Sequence, residues 1–242
     1  MIASTVVMAP AKLTLSLRIT GVRPDGYHLL DSEMITLDLA DTLTFWPGDG
    51  LEIVADGGGM AVPEGDDNLI RRALALVGRS ARVRLDKRIP AGGGLGGGSA
   101  DAAAVLRWAG VDDPAVAARL GADVAFCVAG GRARVTGIGE HIEPLDFAAV
   151  EGRAFTLVTP PFGVSTVAAY RAWDDLEARA AEDGGNDLED AAVAVEPRLA
   201  RWRDELSGAT GQRARLAGSG STWFVEGAFP GPGRVVTRAW RP

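Results

Sequence analysis

Residues 92–98 read GGGLGGG, six glycines in seven positions, and the chain runs from them straight into SADAAAVLRW. Glycine is the least restricted residue and a poor member of any regular element, whereas the alanine-rich stretch behind it is strongly helix-forming. Ahead of the run, ARVRLDKRI (residues 81–89) alternates as a short strand does. The order is therefore strand, bare loop, helix. A helix start presents unpaired N–H groups and about half a positive charge, and glycines let a ligand reach that backbone closely, so the feature predicts an anion cradle of the phosphate-binding kind. A flexible loop is the rival reading. Against it stand the bracketing elements, the strong helix formers, and Ser99, placed to act as the N-cap of a helix that continues to about Trp108 and stops at Gly110.

Two phosphate-loop spellings are excluded. A Walker loop needs Gly-Lys-Ser/Thr at the helix start, and no lysine follows these glycines. A dinucleotide fold wants an early strand–helix–strand unit with an acidic residue about twenty positions on, at the end of a second parallel strand. Asp123 does not sit at such a place.

Any anion must be gripped locally, because the chain of 242 residues carries a net charge of −7. That charge offers no general attraction for nucleic acid or an anionic membrane, and neither is an expected partner. The N-terminus lacks a basic leader ahead of an apolar run, and nowhere do eighteen apolar residues run together, so a cytoplasmic, unanchored protein is expected. Cys127, the single cysteine, sits in DVAFCVAGG, which reads as a buried strand. Only two lysines, Lys12 and Lys87, stand against twenty-three arginines. A lysine kept in such a background is a candidate for work that needs a compact ammonium rather than a planar fork.

From Lys12 the sequence alternates, with Lys12, Thr14, Ser16 and Arg18 on one side and Leu13, Leu15, Leu17 and Ile19 on the other, which predicts a half-buried strand. A turn at RPDGYH returns it into MITLDLADTLTFW, an antiparallel opening. PEGDDNLIRRALALVG predicts a helix stopped at Gly78, and DDPAVAARLGADV a second one, capped by Asp113 and closed by Gly121, with Asp123 just past its end. A new strand begins at RAFTLVTPP, which puts a boundary near residue 151.

Several stretches carry a family resemblance. PAGGGLGGGSADAA (residues 90–103) resembles the second motif of the kinase superfamily named for galactokinase, homoserine kinase, mevalonate kinase and phosphomevalonate kinase, the GHMP kinases, in the form found in its branch acting on a cytidine-diphosphate-linked methylerythritol. The opening APAKLTLSLRITGVRPDGYHLLDSEM resembles that branch nearly throughout, and GADVAFCVAGG, NDLED and LAGSGSTWF match further stretches in the same order. The resemblance implies an α+β, two-domain GHMP kinase fold: an N-terminal ATP-binding domain over residues 1–150 and a smaller, ferredoxin-like α+β domain over residues 151–242. It implies ATP with Mg2+, and a small-molecule acceptor, the CDP-linked methylerythritol, phosphorylated at its 2-hydroxyl on the non-mevalonate route to isoprenoids. Asp123 would be the general base and Lys12 the ammonium that orients it. Pro90, Ala91, Gly92, Gly93, Gly94, Leu95, Gly96, Gly97, Gly98, Ser99 and Ala100 would hold the ATP phosphates, with Asn68 near the adenine. Thr14, Tyr27 and His28 would meet the acceptor, Tyr27 stacking on cytosine, while Gly218, Ser219 and Gly220 form the third motif, a turn beside the glycine loop. No protein metal ligand is assigned.

The sequence also departs from that branch. Thr14 stands where asparagine is usual, and Gly184 and Gly185 precede NDLE where an aromatic often closes over the cytosine, leaving Trp173 or Phe162 as the second wall. The stretch from Ser99 to Asp123 is about twenty residues short. Two alternatives stay open: a sister kinase acting on homoserine or mevalonate, and a relative that binds nucleotide without catalysis.

Overall fold

The structure, a computed structural model, describes residues 4–55, 62–176 and 185–241. Its elements run β1 (Thr5–Val22), β2 (His28–Trp46), β3 (Gly50–Ala55), α1 (Leu69–Leu76), β4 (Arg82–Lys87), α2 (Gly97–Ala109), α3 (Pro114–Ala118), α4 (Ala122–Ala129), β5 (Arg132–Gly137) and β6 (His141–Pro144). The second part of the chain adds β7 (Ala154–Val158), α5 (Thr166–Asp175), α6 (Glu189–Val195), α7 (Arg198–Thr210), β8 (Arg215–Leu216), β9 (Trp223–Glu226) and β10 (Val235–Arg238).

The first sheet has six strands in the order β3-β4-β2-β5-β6, with β1 along the other edge of β2. Strands β1 and β2 pair antiparallel for nearly their whole length, as the Pro-Asp-Gly turn between them predicts, but bulges interrupt the register between Pro10 and Lys12 and between Thr14 and Ser16. The first bulge matters for the site. It takes the Lys12 N–H out of the ladder and gives it to the carbonyl of Leu95 at 3.0 Å, which pins β1 to the glycine loop. Lys12 and Thr14 do share a face, but they are 5% and 1% exposed, so the predicted half-buried strand is covered on both faces here.

The second sheet runs β10-β7-β9-β8, every neighbouring pair antiparallel. This is the ferredoxin-like order, with α5, α6 and α7 filling the first crossover. The second crossover, between β9 and β10, contains no helix. Its sequence, GAFPGPGR, holds two prolines and three glycines, which disfavour helix over so short a span. Alternation along β7 and β9 splits their side chains between two layers: Phe155, Leu157 and Phe224 join the core under the first sheet, while Val158, Trp223 and Val225 pack on α6 and α7 with Leu199 and Leu206. The sheets are joined at β2, where Asp38 accepts from the Arg238 N–H at 2.9 Å and the Trp240 N–H reaches the Thr36 carbonyl at 3.0 Å.

Three local expectations need correction. Residues 122–129, expected as a strand, form helix α4, and Asp123 therefore lies in the first turn of a helix rather than on a loop past one. The apolar run 124–129 that follows Asp123 fits either element, and Gly121 and Gly130 bound the helix as its ends. Helix α3 keeps its expected cap, with Asp113 accepting from the Ala115 N–H, but ends at Ala118, so Gly121 begins α4 instead of closing α3. Finally, Ser99 is not the N-cap of α2. The cap is Gly96 at φ +69°, and the helix starts two residues before Ser99, inside the glycine run.

Candidate active site

The glycine loop lies between β4 and α2 at the floor of a cleft of about 530 Å³, whose walls include Lys12, Asn68, Lys87, Asp101, Asp123, Thr166 and Ser219. Every loop residue from Pro90 to Ser99 lines it, whereas Ala100 is buried behind it. Most of the glycines are bare because the protein itself needs the space. A Cβ on Gly94 would lie 2.4 Å from the Ala217 carbonyl oxygen and 2.8 Å from the Cα of Gly220, and one on Gly220 would lie 2.2 Å from the Gly94 nitrogen. The second and third glycine motifs thus meet backbone to backbone, and the Thr222 N–H donates to the Gly93 carbonyl at 3.1 Å. A Cβ on Gly96 would strike the Lys12 stem at 2.7 Å, and one on Gly97 the Lys87 ammonium at 2.8 Å. Gly98 differs: its nearest neighbour would be Leu69 Cδ1 at 3.5 Å, an ordinary contact, and its backbone is helical. Nothing among the described residues requires Gly98 to be bare, and it is exposed at the cleft.

Lys12 crosses beneath Gly96 and brings its ammonium to Asp123, 3.3 Å from Oδ2, while donating to Thr14 Oγ1 at 3.0 Å. Lys12 is buried, whereas the Asp123 side chain is 37% exposed at the cleft. A carboxylate in the first turn of a helix faces the positive end of its dipole. The third-motif turn packs on the same ammonium, since a Cβ on Gly218 would lie 3.3 Å from Lys12 Nζ and 3.3 Å from Thr14 Oγ1. Asn186, one of two asparagines in the chain, holds that turn by donating to the carbonyls of Leu216 and Gly218 at 3.0 and 2.6 Å. Ser219 reaches across the cleft to Thr166 Oγ1 at 3.0 Å.

Asn68 lines the cleft as the N-cap of α1, accepting from the Ile70 N–H at 2.8 Å and donating to the Pro63 carbonyl at 2.6 Å. Much of its polar capacity is therefore spent on the chain itself.

His28 and Tyr27 stand apart from the glycine loop at the start of β2. His28 Nε2 is 2.8 Å from Asp174 Oδ1, and its ring packs on Tyr170 at 4.7 Å and edge-on against Trp173 at 5.5 Å. Tyr27 is 59% exposed, with the Arg23 guanidinium 5.7 Å from its ring centroid. Phe162 lies elsewhere, under the Arg198 guanidinium at 4.0 Å in the α6–α7 layer. Gly184 lies outside the described residues, and the Gly185 carbonyl accepts from the Leu17 N–H at 3.1 Å.

Two groups of residues at the site escaped the sequence reading. Tyr170 links its two ends: its ring touches His28, and burial, reinforced by the nearby charge of Asp123, pushes its phenol above the usual range so that it stays neutral. Under the loop, Lys87 donates to the buried carboxylates of Asp41 and Asp101. Lysine scarcity marked Lys87 as noteworthy, and Asp101 is a lone charge in an alanine run. Their joint purpose needed the fold.

The family "GHMP kinases N terminal domain" matches residues 68–131, which include the glycine loop and Asp123. A 4-diphosphocytidyl-2-C-methyl-D-erythritol kinase of Cereibacter sphaeroides (strain ATCC 17029 / ATH 2.4.9) is 39% identical, the match covering 91% of this chain and 88% of that protein. One of Paracoccus denitrificans (strain Pd 1222) is 42% identical over 89% of this chain and 84% of its own length. A crystal structure of a 4-(cytidine 5'-diphospho)-2C-methyl-D-erythritol kinase superposes with a TM-score of 0.75 at 33% identity, covering 93% of this chain and 91% of that one. A Methanococcus jannaschii mevalonate kinase shares the fold, at a TM-score of 0.60 and 11% identity. No described helix is long and apolar enough to cross a membrane. The chain belongs to the 4-diphosphocytidyl-2-C-methyl-D-erythritol kinase family of GHMP kinases.

Proposed function

We propose that the protein transfers the terminal phosphoryl group of ATP to the 2-hydroxyl of 4-diphosphocytidyl-2-C-methyl-D-erythritol. The observation that carries this reading is the Lys12–Asp123 pair, 3.3 Å apart, facing the same cleft as the glycine loop. The triphosphate lies along Gly92–Ser99, its oxygens taking the free N–H groups of the first turn of α2. ATP would come with Mg2+, which would offset the negative charge of the phosphates.

Asp123 Oδ2 takes the proton from the acceptor hydroxyl as that oxygen closes on the γ-phosphorus, and the electron pair of the breaking bond leaves on the β-phosphate oxygen. Lys12 orients the carboxylate and opposes the negative charge gathering on the attacking oxygen. Its hydrogen bond to Thr14 sets the ammonium in place. The cytidine end lies at His28, with Tyr27 on one side and Trp173, carried by α5, as the second wall in place of the missing aromatic. We place the division between the two domains at residues 150 and 151, with α5 reaching back across it to His28.

Coupled ADP release from the purified protein tests the reading. The CDP-linked methylerythritol should support turnover, and homoserine or mevalonate should not. Turnover with one of those alcohols instead would assign the chain to a sister activity, and ATP binding without ADP release from any acceptor would mean that catalysis has been lost.

A further inference from the structure

Beneath the glycine loop lies a group of charges that the phosphoryl transfer above does not use. Asp41 is fully buried and fully occupied: Oδ1 accepts from the N–H groups of Arg88 and Ile89 at 2.5 and 2.7 Å, and Oδ2 from Lys87. Asp101, in the second turn of α2, is only half occupied. Its Oδ2 accepts from Lys87 at 2.9 Å, while Oδ1 is buried with no hydrogen-bond partner among the described residues, although the residue lines the cleft. Lys87 spends one N–H on each carboxylate, and the bare Cα of Gly97 lets its ammonium come up under the loop backbone.

With both carboxylates ionised the trio carries a net charge of −1, placed directly below the position of a polyanion. A buried charge lacking half its hydrogen bonds is the weak member of such a set. We propose that nucleotide binding at the glycine loop is coupled to uptake of one proton by Asp101, which brings the trio to neutrality and leaves Lys87 as the effective cation under the phosphates. The proton comes from solvent and goes to the Asp101 carboxyl, whose Oδ1 has no partner among the described residues.

The surroundings agree in direction. Burial raises the Asp101 carboxyl to about 7 against the pull of Lys87, with the Asp41 charge adding to the rise. Burial also works against the Lys87 ammonium, but the two carboxylates outweigh it and hold its pKa above the ordinary value. The other groups near Asp101 are Lys12 from β1, Asp123 from α4, the uncharged Asn68 at the start of α1, and Cys127 of α4. Burial, with the charge of Asp123 next, pushes the Cys127 thiol up to about 12, so it stays neutral. Bringing further negative charge onto the loop raises the Asp101 carboxyl again, and affinity must fall as pH rises through and above about 7, by up to about tenfold per unit at full uptake.

The proposal rests on the glycine loop being the phosphate site. Titration calorimetry of ADP with excess Mg2+ into the folded protein, at about pH 7.5 in buffers of different ionisation enthalpy, counts the protons exchanged. Wild type should take up a sizeable fraction of a proton, and Asp101→Asn should remove that uptake while still binding ADP; a proton carried by the nucleotide is common to both and cancels. A purely structural clamp would change the melting temperature of the variant without changing the proton count. Equal counts for the two proteins overturn the proposal. Should the variant not fold, wild type alone decides: zero uptake together with an affinity flat from about pH 6.5 to 8.5 overturns it. Binding without proton exchange refutes this coupling only, whereas no ADP binding refutes the phosphate site itself.

Discussion

Gly98→Ala and Gly94→Ala make a matched pair that separates bareness required by the ligand from bareness required by the protein. At Gly94 a methyl would have to occupy a site 2.4 Å from the Ala217 carbonyl oxygen, on a backbone at φ +82°. The left-handed conformation costs alanine about 1–2 kcal/mol and the overpacking about 1–3 kcal/mol more. For a chain of this size a loss of about 2–5 kcal/mol lowers the melting temperature by roughly 4–20 °C. At Gly98 the added carbon makes one ordinary contact, 3.5 Å from Leu69 Cδ1, on helical backbone. There alanine should leave stability unchanged or raise it by about 0.5–1 kcal/mol, the usual gain over glycine within a helix. On the proposed function, however, the same methyl would project where a phosphate approaches the first turn of α2. Losing one charge-assisted hydrogen bond, about 1.5–3 kcal/mol, weakens ATP about 10- to 150-fold. Thermal melts and ATP titrations on both variants check this. A Gly98→Ala protein that binds ATP as wild type does would refute the assignment of the phosphates to this face of the loop.

Other consequences follow from distances on the same surfaces. Lys12→Arg should fold yet lose about two orders of magnitude in kcat, because the fork is larger than an ammonium set between Gly218, Thr14 and Asp123; a steady-state assay returning full activity would contradict this. Trp173→Ala should raise KM for the CDP-linked acceptor about 5- to 150-fold, the range expected for one lost stacking face, and leave KM for ATP unchanged. Phe162→Ala should instead lower the melting temperature and leave both KM values alone, since Phe162 packs under Arg198 and not at His28.

Much of the site was legible because its parts are local in sequence. The strand–loop–helix order around the glycines, the shared face of Lys12 and Thr14, and the turn before Tyr27 each depend on neighbours within a few residues. What could not be read were facts set by distant partners. The run of glycines gives no sign that Gly94 is bare for Gly220, Gly96 for Lys12 and Gly97 for Lys87, or that Gly98 has no such close neighbour. Ser99 looked like a cap because hydroxyls favour that place. The helix begins earlier because Gly96 can adopt φ +69°, a conformation serine takes reluctantly. Residues 122–129 are ambiguous for a related reason: the apolar run 124–129 has no period to read. The pairing of Lys87 with Asp41 and Asp101 joins positions 46 and 14 residues apart, beyond any local pattern.

The central claim, that Asp123 acts as a base on a hydroxyl beside a triphosphate held by the glycine loop, is tested most directly by Asp123→Asn. Removing a general base costs about two to four orders of magnitude in kcat. ATP affinity, measured by titration on the same protein, should stay within about twofold of wild type, because the proposed grip on the phosphates is by backbone N–H groups and not by the carboxylate. An Asp123→Asn protein turning over the CDP-linked acceptor at the wild-type rate would contradict the account.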